Sequence, residues 1–260
     1  MRIAKFLLLG LVAFAVASAL AVYLYGRFAA QARGPASTTL PVEMAATPLD
    51  RVFAEAEAAR PMESGLRLIS DDIEAFAIRA HAARAAGRSL DLQYYYWRDD
   101  LTGGLLGREV LAAADRGVRV RILLDDINAR GGDDVYLAYD SHPNIEVRLF
   151  NPALSRDNTL ARGADMVLRA VTVTRRMHNK AWIADQRLAV VGGRNIGDAY
   201  FGASDTANFR DLDVAMVGHA VTQSGDIFDR FWNSPVVLPI RSLSDPGQKA
   251  LSRLRARLED

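Results

Sequence analysis

The longest hydrophobic stretch of the chain lies near its N-terminus. Residues 6–25 contain neither a charged residue nor a proline, and Arg2, Lys5 and Arg27 flank them. A helix of about 20 residues is roughly 30 Å long, which matches the hydrocarbon thickness of a bilayer. The pattern therefore predicts an N-terminal transmembrane anchor over residues 1–26.

A secretory signal peptide is the alternative interpretation of this stretch. In that case Arg2 and Lys5 form the basic region, and residues 17–19 (Ala-Ser-Ala) form the cleavage site. The apolar run continues past that site as far as Tyr25, which favours the anchor. Both interpretations place the body of the chain on the periplasmic side of a bacterial inner membrane. Residues 27–48, rich in Ala, Pro, Thr and Ser, are expected to be a tether.

Beyond the tether, the hydrophobic periodicity alternates between that of helices and that of strands. Helical patterns cover residues 49–60, 72–86, 105–116 and 135–139, and strand patterns cover residues 65–69, 90–97, 118–124 and 145–150. Asp71 and Glu74 are spaced as a capping box for the second helix, and Gly87 follows its end. The alternation predicts an α/β domain with a substantially parallel sheet over residues 49–240. Residues 241–260 are expected to be a C-terminal helix or the start of a linker.

Composition excludes several classes of protein. The 260 residues are 50% hydrophobic and include no cysteine, which excludes a disordered chain, a disulfide framework and a zinc site built on thiolates. Lys and Arg number 32 against 31 Asp and Glu, giving a net charge of +1. The marked basic excess of nucleic-acid-binding domains is therefore missing, and no nucleic-acid partner is expected.

One acidic residue lies where α/β proteins usually bind ligands. Asp125 directly follows the strand pattern of residues 118–124. The carboxyl ends of parallel strands form the edge at which ligands bind, so Asp125 is a candidate functional residue. An acid that only caps a turn or a helix after the strand is the alternative.

Residues 177–195 hold the densest group of chemically active side chains. A strand pattern over residues 177–184 puts His178 and Lys180 on one face, because side chains alternate along a strand. Asp185-Gln186 predicts a tight turn, and residues 188–191 return as the partner strand. Two glycines and Asn195 follow this strand.

These residues together predict a phosphate site. Gly192 and Gly193 let the backbone approach a ligand closely, and Asn195 is expected at the start of a helix, where free N–H groups favour an anion. Lys180 supplies a positive charge and Asn195 supplies amide donors. His178 can act as nucleophile or acid near neutral pH.

The spacing H-x-K-x4-D-x6-G-G-x-N resembles the HKD signature of the phospholipase D superfamily. Its members here are His178, Lys180, Asp185, Gly192, Gly193 and Asn195. Six specified residues at fixed spacing form a strong motif. Further segments over residues 49–234, such as LDLQYYYWRDDLTGGLL and FRDLDVAMVG, are similar to bacterial cardiolipin synthases, most closely to the C-type branch.

The resemblance implies a fold and a reaction. The fold is a phospholipase D-like α/β/α sandwich with a mixed, largely parallel sheet. The reaction is phosphatidyl transfer from one phospholipid to the alcohol of phosphatidylglycerol, giving cardiolipin through a phosphohistidine. No metal and no other cofactor is expected, since the family chemistry uses side chains alone and the four histidines are scattered.

The resemblance also implies residue roles. His178 attacks phosphorus or protonates the leaving alcohol, while Lys180 and Asn195 hold the non-bridging oxygens. Asp211, in Arg-Asp-Leu-Asp-Val, orients the imidazole through a hydrogen bond. The signature carboxylate, Asp185, belongs to the site residues chiefly as a partner of the turn. Relatives often have Ser in place of Gly193, so that phosphate contact is expected from the backbone N–H here.

The chain departs from the family in carrying one HKD motif where these bacterial enzymes carry two. The only later histidine, His219, is followed by Ala220-Val221 and so begins no second motif. The sequence resembles the N-terminal half of a two-motif enzyme. We expect the second half from homodimerisation or from another chain. Two alternatives stay open: a homodimeric phosphodiesterase or nuclease with one motif per chain, and a half-enzyme that is inactive alone.

Overall fold

The computed structural model describes residues 2–129, 131–156 and 158–259. The α-helices of this part are α1 (Arg2–Ala32), α2 (Pro48–Ala59), α3 (Asp72–Ala85), α4 (Leu101–Asp115), α5 (Asp126–Ala129), α6 (Asp133–Asp140), α7 (Thr159–Leu168), α8 (Ala170–Val173), α9 (His219–Trp232) and α10 (Ala250–Glu259). The strands are β1 (Ser64–Ile69), β2 (Ser89–Tyr94), β3 (Arg119–Asp125), β4 (Ile145–Phe150), β5 (Ala181–Ala184), β6 (Leu188–Gly192), β7 (Asp213–Gly218) and β8 (Val237–Pro239).

The strands form one mixed sheet in the order β1-β7-β6-β5-β2-β3-β4-β8. The mixed sheet expected from the sequence is confirmed, but its parallel part is smaller than expected. Only the pairings β2–β3 and β3–β4 are parallel, and the other five are antiparallel. One reason is that a turn of three residues joins β5 to β6, which forces these two strands to be antiparallel, since a parallel neighbour needs a long crossover.

Helices cover both faces of the sheet. In β3, Val120, Ile122 and Leu124 pack in the larger core cluster with residues of α3, α4 and α6, while Leu123 packs in a second cluster with Phe228 of α9. Successive side chains of a strand point to opposite faces, so the two clusters lie on opposite sides of the sheet. The expected α/β/α sandwich is therefore confirmed.

The predicted turn at Asp185-Gln186 joins β5 to β6. Both residues have positive φ, 53° and 58°, and Arg187 N donates to Ala184 O at 2.9 Å. This is the type I′ geometry that matches the twist of a hairpin. The Asp185 carboxylate stabilises it by accepting from three consecutive backbone N–H groups, of residues 87–89, at 2.8 to 2.9 Å.

The N-terminal helix and the segment after it contact the domain. Helix α1 is long and apolar enough to span a membrane, and its last turns reach the domain, where Tyr25 and Ala29 pack against Leu238 of β8. The expected tether then runs extended along the surface. Ser37 N donates to Asn233 Oδ1 at 3.1 Å and Arg121 donates to Ser37 O at 3.0 Å. This segment is thus held against the sandwich.

Candidate active site

A buried carboxylate fixes the segment that leads into His178. Asp125, at the end of β3, accepts from Met177 N at 2.8 Å and from the Arg176 guanidinium at 3.1 Å. It also accepts from Ile127 N, in the short helix α5, at 2.9 Å. Burial raises the pKa of Asp125 above its usual range. Asp125 therefore holds the backbone of the residue before His178 in place.

His178 and Lys180 lie side by side at the sheet edge. Lys180 Nζ is 3.1 Å from His178 Nδ1 and donates to His178 O at 2.9 Å. The strand expected over residues 177–184 begins only at Ala181, because residues 177–180 make no ladder with β2. His178 is exposed, whereas Lys180 is only 5% exposed. Burial lowers the pKa of Lys180, and the negative charge of Asp211 opposes that shift.

An aromatic residue completes this pair. The sequence did not place it among the site residues, although the aromatic run 94–97 could line a lipid groove or pack in the core. The ring centroid of Tyr95 is 4.7 Å from that of His178, and Lys180 Nζ is 5.3 Å from the Tyr95 centroid. Tyr95 follows the last residue of β2, so it reaches the same sheet edge as His178. The signal in the sequence was the aromatic run that closes the strand, at the end where ligands bind.

Asn195 lies in a loop after β6 and not at the start of an α-helix. The helical expectation is wrong here: only a three-residue 3-10 helix follows, Asp198–Tyr200, and Asp198 N already donates to Asp100 at 2.9 Å. Asn195 Nδ2 donates to the Tyr200 hydroxyl at 2.9 Å. Asn195 Oδ1 is buried and has no hydrogen-bond partner in the described part of the chain. The oxygen of this side-chain amide is therefore left available for a hydrogen bond.

The two glycines serve strand packing. Gly193 N donates to Leu212 O at 3.0 Å, so the expected free N–H for phosphate is already used. A Cβ on Gly192 would lie 2.5 Å from Leu212 O, and a Cβ on Gly193 would lie 2.0 Å from Asp211 Oδ1. Both glycines let the segment that precedes β7 approach β6 closely.

Asp211 lies near Lys180, whereas Asp185 lies far from it. Asp211 is partly exposed and close enough to Lys180 to affect its pKa, but among the residues described no hydrogen bond joins it to His178. Asp185 lies beyond the far end of β5 from Lys180, and its carboxylate is occupied by backbone N–H groups. Its contacts are those of a turn residue.

A buried ionic network supports the loop that carries Asn195. Arg194 is fully buried and donates to Ser70 O at 2.7 Å and to Asp72 at 2.8 Å. Arg79, also fully buried, donates to Asp213 at 2.9 Å and to the Tyr94 hydroxyl at 3.1 Å. The backbone N–H of Arg194 lies 3.3 Å from Asp213, which ties the loop to β7. The loop is thereby fixed from both sides.

Beside these residues runs a groove of about 680 Å³ that Tyr95, Asn195 and Tyr200 help to line. Arg98 and Asn128 line the same groove, so it combines aromatic surface with polar donors. An imidazole, a buried ammonium and an amide close together suit a phosphodiester, since donors in a partly dry site bind an oxyanion strongly.

Comparison with known proteins agrees with this geometry. Residues 80–232 match the family model described as "Cardiolipin synthase, PLD-like domain". The chain is 47% identical to cardiolipin synthase C of Escherichia coli over 185 residues, 71% of this chain and 38% of that protein. It is 36% identical to an uncharacterized protein of Helicobacter pylori over 197 residues, 76% of this chain and 39% of that protein. The chain thus spans somewhat more than a third of these relatives.

A solved structure shows the same fold. The phosphatidylserine synthase of Haemophilus influenzae superposes with a TM-score of 0.52 at 15% identity, over 80% of this chain and 47% of that one. The family match over residues 80–232 covers strands β2 to β7, the HKD residues and all of α9. With its mixed sheet and its His178–Lys180 pair, the chain belongs to the cardiolipin synthase family of phospholipase D-like domains.

Proposed function

We propose that this chain supplies one half of a phospholipase D-type site that transfers phosphatidyl groups and makes cardiolipin. The observation that carries the proposal is the contact between His178 and Lys180, beside Tyr95, which lines the groove. The relationship to cardiolipin synthase C supports the substrate class. Phosphatidylglycerol is the proposed acceptor, and a second phospholipid is the donor.

The proposed reaction has two steps. A ring nitrogen of His178 attacks phosphorus, the P–O bond to the leaving alcohol breaks, and that alcohol takes a proton from the histidine of a second HKD half. The hydroxyl of phosphatidylglycerol then returns its proton to that second histidine and attacks phosphorus. The P–N bond breaks, cardiolipin forms and His178 is free again.

The neighbours of His178 stabilise charge and position in this scheme. Lys180 holds a non-bridging oxygen, and its burial strengthens that interaction. Rotating the Asn195 amide by half a turn lets the Tyr200 hydroxyl donate to the amide oxygen and frees the NH2 group for phosphate. Asp211 acts on the ammonium of Lys180 through its charge, and the Tyr95 ring limits where the imidazole can lie.

The second half is proposed to come from a second copy of the chain, with another protein's HKD half as the alternative source. One imidazole cannot lie on both sides of the same phosphorus, so attack and proton donation need two histidines. A two-fold dimer brings two copies of His178 to one site.

The test of the function uses the full chain in vesicles of phosphatidylglycerol labelled with radioactive phosphorus. We expect labelled cardiolipin, and a protein-bound label that resists alkali and is lost in acid, as a P–N bond is. His178→Ala should abolish both, whereas His81→Ala, at an exposed position of α3, should leave both unchanged. Product formation by His178→Ala at the wild-type rate would refute the assignment.

We also propose that α1 anchors the domain on the periplasmic side of the inner membrane. The chain has no cysteine, so a single Cys at exposed Ser252 reports its side of the membrane alone. A thiol reagent that does not cross membranes should label Ser252→Cys in cells whose inner membrane is intact. Labelling only after lysis would place the domain in the cytoplasm.

A further inference from the structure

Helix α7 turns its apolar side away from the protein. Leu160 is 86% exposed and Val167 is 58% exposed, and their spacing of seven residues places them on one face of the helix. Val171, one turn further on in α8, is 84% exposed. We call these three residues the apolar stripe. The other exposed positions of the segment 160–171 are Ala161, Gly163, Ala164 and Ala170.

The charged side of α7 faces inward. Arg162 is buried and lies 3.4 Å from Asp126. Arg169, which directly follows α7, is fully buried and donates to Asp165 of α7 at 2.5 Å. A surface helix in water has the opposite arrangement, with its apolar side against the core. Burying two guanidinium groups costs desolvation free energy that their carboxylate partners offset, and the apolar side of the helix adds no stability while it faces water.

Helix α7 lies directly beside the N-terminal helix. The Arg169 guanidinium carbon is 3.7 Å from the centroid of the Tyr25 ring. Tyr25 is the last residue of the uncharged stretch 6–25, and α1 is the candidate membrane span. The inner, charged side of this segment thus lies against the end of the uncharged stretch of α1, and the apolar stripe is on the opposite side of the same helix.

The segment that carries the stripe also lies at the same edge of the sheet as the candidate site. The chain reaches α7 from the end of β4 and returns from α8 to His178. Asn151, at the end of β4, donates to Thr172 O at 2.9 Å and to Arg175 O at 3.1 Å, which fixes α8 against this edge.

We propose that α7 and α8 form a membrane-contact segment whose apolar stripe lies in the bilayer interface. Interfacial helices bury an apolar face roughly 5–10 Å deep at the boundary of headgroups and acyl chains. Seated in this way beside α1, the segment holds the His178 edge of the sheet at the membrane surface. The proposal concerns contact with lipid and does not depend on the reaction.

The experiment uses the absence of cysteine from the chain. A single Cys at Val167, or at Val171 as a second position, carries an environment-sensitive fluorophore in the full chain reconstituted into phospholipid vesicles. The matched control is Leu66→Cys in β1, an apolar residue that is 66% exposed on the edge strand farthest from β4 and β8. Fluorescence is quenched either by lipids carrying a spin label near the headgroup or by a water-soluble quencher.

We expect spin-labelled lipid to quench the fluorophore at Val167 and Val171 severalfold more strongly than at Leu66. The water-soluble quencher should show the reverse order. Equal access of the water-soluble quencher to all three positions would overturn the proposal. Shielding of Val167 from both quenchers, lost when the protein is diluted in lipid, would overturn it too and would assign the stripe to a second copy of the chain.

Discussion

The carboxylate of Asp211 rests against the backbone of Gly193. A Cβ built on Gly193 lies 2.0 Å from Asp211 Oδ1 and 2.8 Å from its Cγ. Every other residue at this position must therefore displace the Asp211 side chain. Because the charge of Asp211 opposes the lowering of the Lys180 pKa by burial, a side chain at position 193 would act on Lys180 through Asp211.

Gly193→Ala is expected to lower activity with little loss of stability. The new methyl group meets a partly exposed side chain, which can swing into solvent and move its charge away from Lys180. A displacement of this kind lowers the rate by about 100-fold when catalytic geometry depends on it. Cardiolipin formation and thermal unfolding of the same preparation measure the two effects.

Gly192→Ala is the matched comparison, and this variant is expected to lose stability. Its Cβ meets backbone, 2.5 Å from Leu212 O and 2.6 Å from the Asp213 Cα, which cannot move without opening β6 from β7. Overpacking of this kind costs about 1–3 kcal/mol of the free energy of unfolding. Similar unfolding temperatures for the two variants would contradict this distinction.

The sequence correctly predicted secondary-structure elements that depend only on neighbouring residues. Strand β4 and the Asp185-Gln186 turn lie where periodicity and turn chemistry place them. The parallel character of the sheet was overestimated because strand direction depends on which strands pair, and the antiparallel partners β5 and β7 belong to the second half of the domain.

The sequence predicted which residues form the candidate site better than it predicted the contacts between them. His178 and Lys180 do lie together, because a two-residue spacing along extended chain keeps them on one side. The roles of Tyr95 and Asp125 were not predictable in the same way. Each reaches His178 or Met177 from another strand, so its role depends on strand order, which spacing along the chain does not encode.

Lys180 should give the pH profile of the reaction an alkaline limb below the ordinary pKa of lysine. Burial lowers its pKa, and the protonated form is the one that holds phosphate oxygen. Removing the Asp211 charge lowers that pKa further, so Asp211→Asn should move the alkaline limb to lower pH. Initial rates across the alkaline range measure the shift. An unmoved limb, or a limb moved to higher pH, would contradict the coupling between Lys180 and Asp211.

Asp125→Asn should lower both stability and the rate at saturating substrate. The amide cannot accept from Met177 N, Ile127 N and Arg176 as a carboxylate does, so the segment before His178 loosens. Weakening charged hydrogen bonds at a buried site costs about 1.5–3 kcal/mol. Urea unfolding measures the loss. A positioning role predicts that kcat falls more than KM rises, whereas a merely structural role predicts unchanged kinetics in the fraction that is folded.

Acid should destabilise the fold partly through Asp50. This buried carboxylate accepts from Arg88 at 3.0 Å and from Arg187 at 2.7 Å, and these bonds hold its pKa well below its usual range. A lowered folded-state pKa contributes stability above the unfolded value, about 3.9, and that stability is lost as pH falls below it.

Asp50→Asn tests this contribution. Arg88 loses its carboxylate partner and Arg187 keeps only Glu57, so the variant should lose up to about 3–5 kcal/mol at neutral pH and show a flatter decline toward acid. Asp205→Asn, in an exposed loop, is the control and should keep the wild-type profile. Urea unfolding at several pH values compares the three proteins, and equal acid sensitivity of Asp50→Asn and wild type would exclude the role.

Mixing experiments decide whether the second histidine comes from a second copy of the chain. If the active unit is a two-fold dimer, each site needs both copies of His178, and a dimer containing one His178→Ala chain is inactive. With random pairing, activity should fall as the square of the wild-type fraction when wild-type and His178→Ala chains are co-expressed. Specific activity should also fall on dilution in lipid, as dimers dissociate. A linear fall with wild-type fraction, together with activity that is independent of dilution, would show that one motif suffices and that the proposed two-histidine mechanism is wrong.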